Sequence, residues 1–190
     1  KIALIHMDGI ITAGAPGGLG ASGVVTASAV GTAIRHAAED DTVKAIVLRI
    51  NSPGGSALAS DLIWRAVVQA SKDKPVVASM GSVAASGGYY VAMAADRVLA
   101  DPGTVTGSVG VFGGKFDFGG LYGKIGITRE VITRGRNATI YADTGGFTDS
   151  ERERVQSLIN ETYRDFVQKA ADGRDMDFEA MEALARGQVW

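Results

Sequence analysis

Two stretches of this sequence hold residue types from which a reactive centre could be built. The first is Gly81-Ser82-Val83-Ala84-Ala85-Ser86-Gly87-Gly88-Tyr89-Tyr90, where small residues surround the Ser86 hydroxyl and a glycine pair follows it. At the start of a helix, such a serine presents its hydroxyl to a cleft with the Gly87 N–H beside it. That is the logic of a nucleophile turn, though without the Gly-x-Ser-x-Gly sequence. A serine in that place serves equally well as a simple N-cap, and the local sequence leaves both readings open. The second stretch is Asn51-Ser52-Pro53-Gly54-Gly55-Ser56. Its proline fixes one turn, and its two glycines let the backbone come close to a ligand. N–H groups at the start of the next helix would favour an anion or a developing oxyanion. Taken alone, this stretch reads more simply as an ordinary strand-to-helix turn.

A nucleophilic serine needs a base. The chain has two histidines, His6 inside an apolar strand and His36 in a helical stretch, and neither has an evident acidic partner. A Ser-His-Asp triad is therefore a poor fit. A lysine with a lowered pKa, as in Ser-Lys hydrolases, is the remaining option. There is no cysteine, which excludes disulfides, thiolate nucleophiles and sulfur-ligated metals. Two histidines also leave little for a metal site, and no cofactor is implied.

These segments must be positioned by a scaffold. Short apolar runs read as strands of a buried sheet: Ile2 to Met7, Ala45 to Ile50, Pro75 to Ser79, Arg97 to Ala100 and Ile127 to Thr133. Between them, Ala27 to Glu39 and Ala57 to Ser71 read as helices, the second with Leu58, Leu62, Ile63 and Ala66 on one face. Alternating strands and helices predict an α/β domain with a largely parallel sheet. From Phe147 the charge density rises. Thr148-Asp149-Ser150-Glu151 has the spacing of a capping box, followed by an apolar stripe of Val155, Leu158, Ile159, Thr162, Phe166 and Val167. A second helix is predicted after Asp177, ending before Gly187 as its C′ glycine. The stretch from Ala13 to Gly23 reads as a mobile glycine-rich loop. It lacks the Gly-Lys-Ser/Thr of a phosphate loop.

The 190 residues fit one domain. A net charge of −2, from 19 basic and 21 acidic side chains, argues against nucleic-acid binding by phosphate neutralisation. No apolar run approaches the roughly 18–20 residues that span a bilayer. The 26 glycines are about twice the usual share, and most precede residue 127. A start at Lys1 and an end at Trp190 look like cuts inside a longer protein, whose signal peptide, membrane anchor or further domain would lie outside these residues.

Three motifs in order, Asn51-Ser-Pro-Gly-Gly55, Ala84-Ala-Ser-Gly-Gly-Tyr89 and Leu99-Ala-Asp-Pro-Gly-Thr-Val-Thr-Gly-Ser-Val-Gly110, resemble the S49 signal peptide peptidase family of serine proteases, within the Clp protease/crotonase superfamily. The resemblance covers nearly the whole chain. It implies one S49-type peptidase domain over residues 1–190, a superhelix of β-β-α units with a helical extension at 147–190. It implies Ser86 as nucleophile, Gly87 with Gly54 or Gly55 as oxyanion donors, and Ser108 as the partner of a general-base lysine. The family's Gly-x-x-Lys element matches Gly135-Arg136-Asn137-Ala138, with alanine in the lysine position. Long members carry two copies, the lysine in one and the serine in the other, so this chain resembles the serine-bearing half. The implied partners are cleaved signal peptides and other apolar extended segments, a lysine-bearing repeat or neighbouring subunit, and further copies in a homo-oligomer. The implied setting is a membrane, facing periplasm or cell exterior and reached through segments outside these residues. A crotonase-type acyl-CoA enzyme and a non-catalytic copy of the fold are the alternatives.

Overall fold

A computed structural model describes residues 1–14 and 23–190, so most of the glycine-rich loop predicted from Ala13 to Gly23 lies outside the described residues. The chain forms two compact units, Lys1–Gly110 with Arg164–Trp190, and Val111–Tyr163.

In the first unit the order is β1 (Ile2–Asp8), β2 (Ile10–Thr12), β3 (Val24–Thr26), α1 (Ala27–Glu39), β4 (Ala45–Ser52), α2 (Ala57–Ala70), β5 (Val76–Ala85), α3 (Gly87–Ala92), β6 (Arg97–Leu99) and β7 (Val105–Gly107). The main sheet runs β1-β4-β5-β6, with β7 also on β5, and every pairing is parallel. β2 and β3 form a second, two-stranded parallel sheet. This is the α/β architecture with a parallel sheet expected of the Clp/crotonase-like fold. Alternate residues of β4, namely Ile46, Leu48, Ile50 and Ser52, are fully buried, as are Val76 and Ala78 of β5. α1 buries Val30, Ile34 and Ala37, and α2 buries Ala59, Ile63 and Val67. Each helix is started by a side-chain cap, Thr26 accepting from the Ala29 N–H and Ser56 from the Ala59 N–H.

The face predicted for α2 is only partly right. Ile63 is buried, but Leu58 and Leu62 are 63% and 48% exposed, and the inward face is instead Ala59, Ser60, Ile63, Val67 and Ala70. Small residues turn inward there, where α2 packs on α1 and α3. β5 is also longer than the predicted Pro75 to Ser79. Its register with β4 jumps from Ile50↔Met80 to Ser52↔Ala84, a bulge opposite Asn51. The Asn51 Oδ1 accepts the Val83 N–H at 3.3 Å, and the Thr104 hydroxyl donates to the Gly81 carbonyl at 2.8 Å. These side chains satisfy the backbone groups that the bulge unpairs.

Unit two, Val111–Tyr163, holds α4 (Gly119–Lys124) and the first part of α5 (Asp149–Asp172). Its predicted strand Ile127 to Thr133 does not form. A strand needs a neighbouring edge, and among the described residues this segment pairs with none. No apolar side chain from 111 to 163 is buried; Phe112, Ile132 and Tyr141 are 98%, 89% and 90% exposed. Carboxylates organise the unit instead. Asp117 accepts the Gly119 and Gly145 N–H groups at 2.9 Å each, and Asp143 accepts from Tyr122 and Arg129. The predicted capping box is present: the Thr148 N–H donates to Glu151 at 2.9 Å, and the Glu151 N–H to the Thr148 hydroxyl at 3.3 Å. Thr139 also donates to the Glu151 carboxylate.

α5 continues into the first unit, where Phe166, Val167 and Ala170 are buried, and α6 (Phe178–Leu184) follows. At the end of α6 the left-handed turn begins at Arg186 (φ 57°), one residue before the predicted Gly187 (φ 72°). Among the described residues, no helix is long and apolar enough to cross a membrane.

Candidate active site

Ser86 is the single residue between β5 and α3, with φ 50° and ψ −119°. A side chain at positive φ is held there only when its surroundings over-determine it, at a cost of about 1–3 kcal/mol. The backbone supplies the constraint: the Ser86 N–H donates to the Gly107 carbonyl at 2.9 Å, and the Ser86 carbonyl accepts the Tyr90 N–H at 2.8 Å. The hydroxyl makes no capping bond to α3. Of the two readings open from sequence, the N-cap is therefore not the one the geometry favours. The half-buried side chain is aimed by a strained turn and left without a capping role.

The two glycine clusters meet at this turn. A Cβ on Gly54 (φ 101°) would stand 2.6 Å from the Gly87 nitrogen and 2.8 Å from the Ser86 Cβ. One on Gly87 would stand 2.4 Å from the Ser60 Oγ and 3.3 Å from the Gly55 nitrogen. One on Gly88 would lie 2.7 Å from the Ser52 carbonyl oxygen. Only glycine allows this approach. Two buried hydroxyls that sequence reasoning did not single out line the contact. Ser52 accepts the Gly54 N–H at 3.1 Å, and Ser60 donates to the Ser56 carbonyl at 2.9 Å.

These bonds separate Gly54 from Gly55. The Gly54 N–H is held by Ser52, and its carbonyl accepts the Ile11 N–H at 2.9 Å. Ser56 donates to the Ile11 carbonyl at 2.8 Å, so β2 grips the residues on either side of Gly55. Among the described residues, neither the Gly55 N–H nor the Gly87 N–H has an acceptor. Two unspent donors beside Ser86 can stabilise an oxyanion.

Ser108 follows β7 as Ser86 follows β5. The strands end in register at Ala85↔Gly107, and Ser108 has the same φ of 50°. The Ser108 N–H donates to the Gln188 carbonyl at 2.6 Å. Here the C-terminal segment runs antiparallel along β7, with Thr106 and Trp190 exchanging backbone bonds at 2.9 and 3.0 Å. It occupies the β7 edge away from β5, a feature the sequence did not signal.

Among the described residues of its own unit, no base joins Ser86. Lys44 and Lys74 donate to backbone carbonyls, and Lys72 donates to Gln69. Lys169 donates to Asp61, Asp165 and the Tyr90 hydroxyl at 2.6, 2.7 and 2.9 Å. Burial opposes its charge, but hydrogen bonds to Asp165, Asp61 and Tyr90 outweigh that and raise its pKa above the usual lysine value. It stays an ammonium and cannot accept a proton near neutral pH. His6 lies 3.8 Å from Asp8 on the exposed side of β1, a carboxylate neighbour not anticipated from sequence, and His36 is exposed on α1. In the second unit, Lys115 donates to the Thr139 carbonyl, and Ala138 sits in a turn closed onto Gly135. Among the described residues, no group of three or more histidines or carboxylates is placed to hold a metal.

Comparison with known proteins places the chain in a family. The profile of peptidase family S49 matches residues 68–190, and that of Clp protease matches 22–103. A serine protease SPPA of Arabidopsis thaliana, described as chloroplastic, is 45% identical over 158 residues, covering 83% of this chain and 23% of its own length. Protease 4 of Haemophilus influenzae is 36% identical over 194 residues, and Protease 4 of Salmonella typhi 39% over 193. Each of these covers all of this chain, which spans 30% of their length. The S49 match contains Ser86, Gly87 and Ser108 and runs through most of the sequence: the chain belongs to peptidase family S49.

Proposed function

We propose that this chain supplies the nucleophile and oxyanion hole of a serine endopeptidase whose general-base lysine comes from another repeat or subunit. The observation that carries the proposal is the Ser86 turn: positive φ, no capping bond, and the unspent Gly55 and Gly87 N–H groups beside it. In the reaction, a neutral lysine takes the Ser86 proton as Oγ bonds to the scissile carbonyl carbon. The two N–H groups hold the oxyanion. The C–N bond then breaks as the lysine returns the proton to the leaving amine, and water hydrolyses the acyl-enzyme. Gly55 is the better first donor, because the Gly54 N–H is already committed to Ser52. Ser108, at the end of the neighbouring strand, would orient the incoming lysine amine.

Two observations support a base in trans. Ala138 stands in the family's lysine position, and the lysines of the first unit with assigned contacts bond elsewhere. The Val111–Tyr163 unit also buries no apolar side chain, which favours cover by a neighbouring copy or repeat in an oligomer. By family, the substrates are cleaved signal peptides and other extended apolar segments. The setting is a membrane, facing periplasm or cell exterior and reached through parts of the protein beyond these residues. The test is a serine-directed fluorophosphonate applied to the full-length protein, with the labelled peptide located by mass spectrometry. Adduct on Ser86, and none on Ser82 or Ser108, is expected; adduct on another serine refutes the assignment. Ala138 also favours a second reading, a non-catalytic copy of the fold, for which Ser86 would stay unlabelled.

A further inference from the structure

Ser86 opens a helix of only six residues, too short to hold its own direction. Its N-terminal end is fixed by Gly87 and Gly88 pressed against Ser60 and Ser52. The other anchor is Tyr90, whose N–H donates to the Ser86 carbonyl and whose ring packs 4.6 Å from Phe166 of α5 and edge-on, at 6.5 Å, to Trp64 of α2. The Tyr90 hydroxyl lies 3.0 Å from both the Asp61 and Asp165 carboxylates, and its one proton can satisfy only one at a time. The Lys169 ammonium completes the set. Its three donors reach Asp61, Asp165 and the Tyr90 oxygen, and it stands 4.5 Å from the Trp64 ring centroid. One ammonium thus ties α2, α3 and α5 together one turn beyond the candidate nucleophile.

We propose that Lys169 is a positioning residue for Ser86: by holding Tyr90 between Asp61 and Asp165 it fixes α3, and with it the aim of the Ser86 hydroxyl at the Gly55 and Gly87 donors. The proposal rests on the reading of Ser86 as nucleophile. Stability alone does not call for this arrangement. Replacing the whole charged set by apolar side chains of similar size would avoid desolvating an ammonium, and replacements of complete buried charge sets are often neutral or stabilising. Without the ammonium, Asp61 and Asp165 repel each other across Tyr90. Both carboxylates are partly exposed and can swing into water, leaving the tyrosine without a fixed partner. The α3 helix then loses the contact that sets its rotation.

The experiment uses the full-length protein and the variants Lys169→Met, Lys169→Arg and Tyr90→Phe. For each, the fluorophosphonate gives two numbers, the fraction of Ser86 that becomes labelled and the acylation rate constant per labelled site. Melting temperature and peptide kcat and KM accompany them. Lys169→Met is expected to label to full stoichiometry but about 10–100-fold more slowly, the loss typical of an attacking group displaced by up to an ångström. Its kcat should fall in parallel, with KM little changed. Tyr90→Phe keeps the ring and should fall part of the way. The double variant should be no slower than Lys169→Met, because the two side chains act as one unit. Lys169→Arg keeps a cation between the carboxylates and should recover most of the rate. Wild-type rates per labelled site in both Lys169→Met and Tyr90→Phe would overturn the proposal. So would reduced stoichiometry with an unchanged rate at the sites that remain, which is the mark of a purely structural role. If Lys169→Met does not fold, Tyr90→Phe decides alone. Failure of the wild type to label at Ser86 would instead refute the nucleophile reading, and this inference with it.

Discussion

The strain at Ser86 can be weighed by two substitutions that differ only in a methyl group. Ser86→Ala keeps the Cβ at φ 50° and removes a hydroxyl that caps nothing, so its effect on stability should be close to zero. Ser86→Gly removes the Cβ as well and relieves the penalty of about 1–3 kcal/mol that a side chain meets in this region. Against that gain stands the extra entropy of glycine in the unfolded chain, about 0.4–1 kcal/mol. The balance leaves Ser86→Gly more stable than Ser86→Ala by about 0.5–2 kcal/mol. For a chain of this size that raises Tm by roughly 1–8 °C. Urea unfolding of the two variants side by side measures the difference in midpoint at a common slope. Equal midpoints, or a more stable alanine variant, would refute the claim that the turn is strained. Ser108, at the same φ, provides an independent repeat of the comparison.

Two further outcomes follow from the same contacts. Gly54→Ala should lower stability by about 1–3 kcal/mol and abolish labelling of Ser86, because its Cβ would collide with the Gly87 nitrogen at positive φ; Gly114→Ala, with open space around it, is the control and should change neither in a denaturation and labelling series. The second unit should loosen in acid. The pKa values of Asp117, Asp143 and Glu151 are all lowered, chiefly by the Gly119 N–H, by Arg129 and by Thr139 respectively. A depressed carboxylate stabilises the fold above its unfolded pKa of about 4 and loses that contribution as pH falls through the lower folded value. Hydrogen exchange corrected for intrinsic rates should therefore show protection within 111–163 disappearing below about pH 4 before that of β4 and β5; uniform loss across both units would contradict it.

What could be read from the sequence is what is written locally. The helix over Ala27–Glu39 and the Thr148–Glu151 capping box depend on neighbours a few residues apart; the helix is present with the expected bounds and the box with the expected partners. The Ser86 and Gly54–Gly55 clusters were visible as chemistry because runs of small residues need a reason. Three features were not visible because they are tertiary. The second half of β5 resembles a loop in sequence, since Gly81 and Ser82 occupy a bulge that Asn51 and Thr104 satisfy from a distance. The apolar run Ile127 to Thr133 has strand composition, but strands are made by partners, and within the described chain it has none. Lys169 reads as a surface lysine on an amphipathic helix. Only the packing of α5 shows that its ammonium lies over the Trp64 ring and that its charge is shared by carboxylates from two helices.

The site also explains why a parallel sheet is needed to build it. The Ser52–Gly55 turn leaves the carboxyl end of β4, Ser86 that of β5, and Ser108 that of β7, and these strands are adjacent. In open α/β sheets the carboxyl ends of the strands are where loops and helix N-termini converge on a ligand. Parallel register then does the positioning. Pairing Ala85 with Gly107 brings the two serine turns level, and pairing Ser52 with Ala84 sets the β4 turn under Gly87 and Gly88. The bulge at Gly81–Val83 enters here as well. If the same sequence ran on without bulging, the ladder set by Ile50↔Met80 would pair Ser52 with Ser82. That would draw the Gly54–Gly55 turn back along β5, away from Ser86. Asn51→Ala, which takes away the side chain that accepts the Val83 N–H in the bulge, should therefore slow Ser86 labelling even where the sheet still folds. Retained labelling at a wild-type rate in such a variant would show that the register at the strand ends does not hold the site.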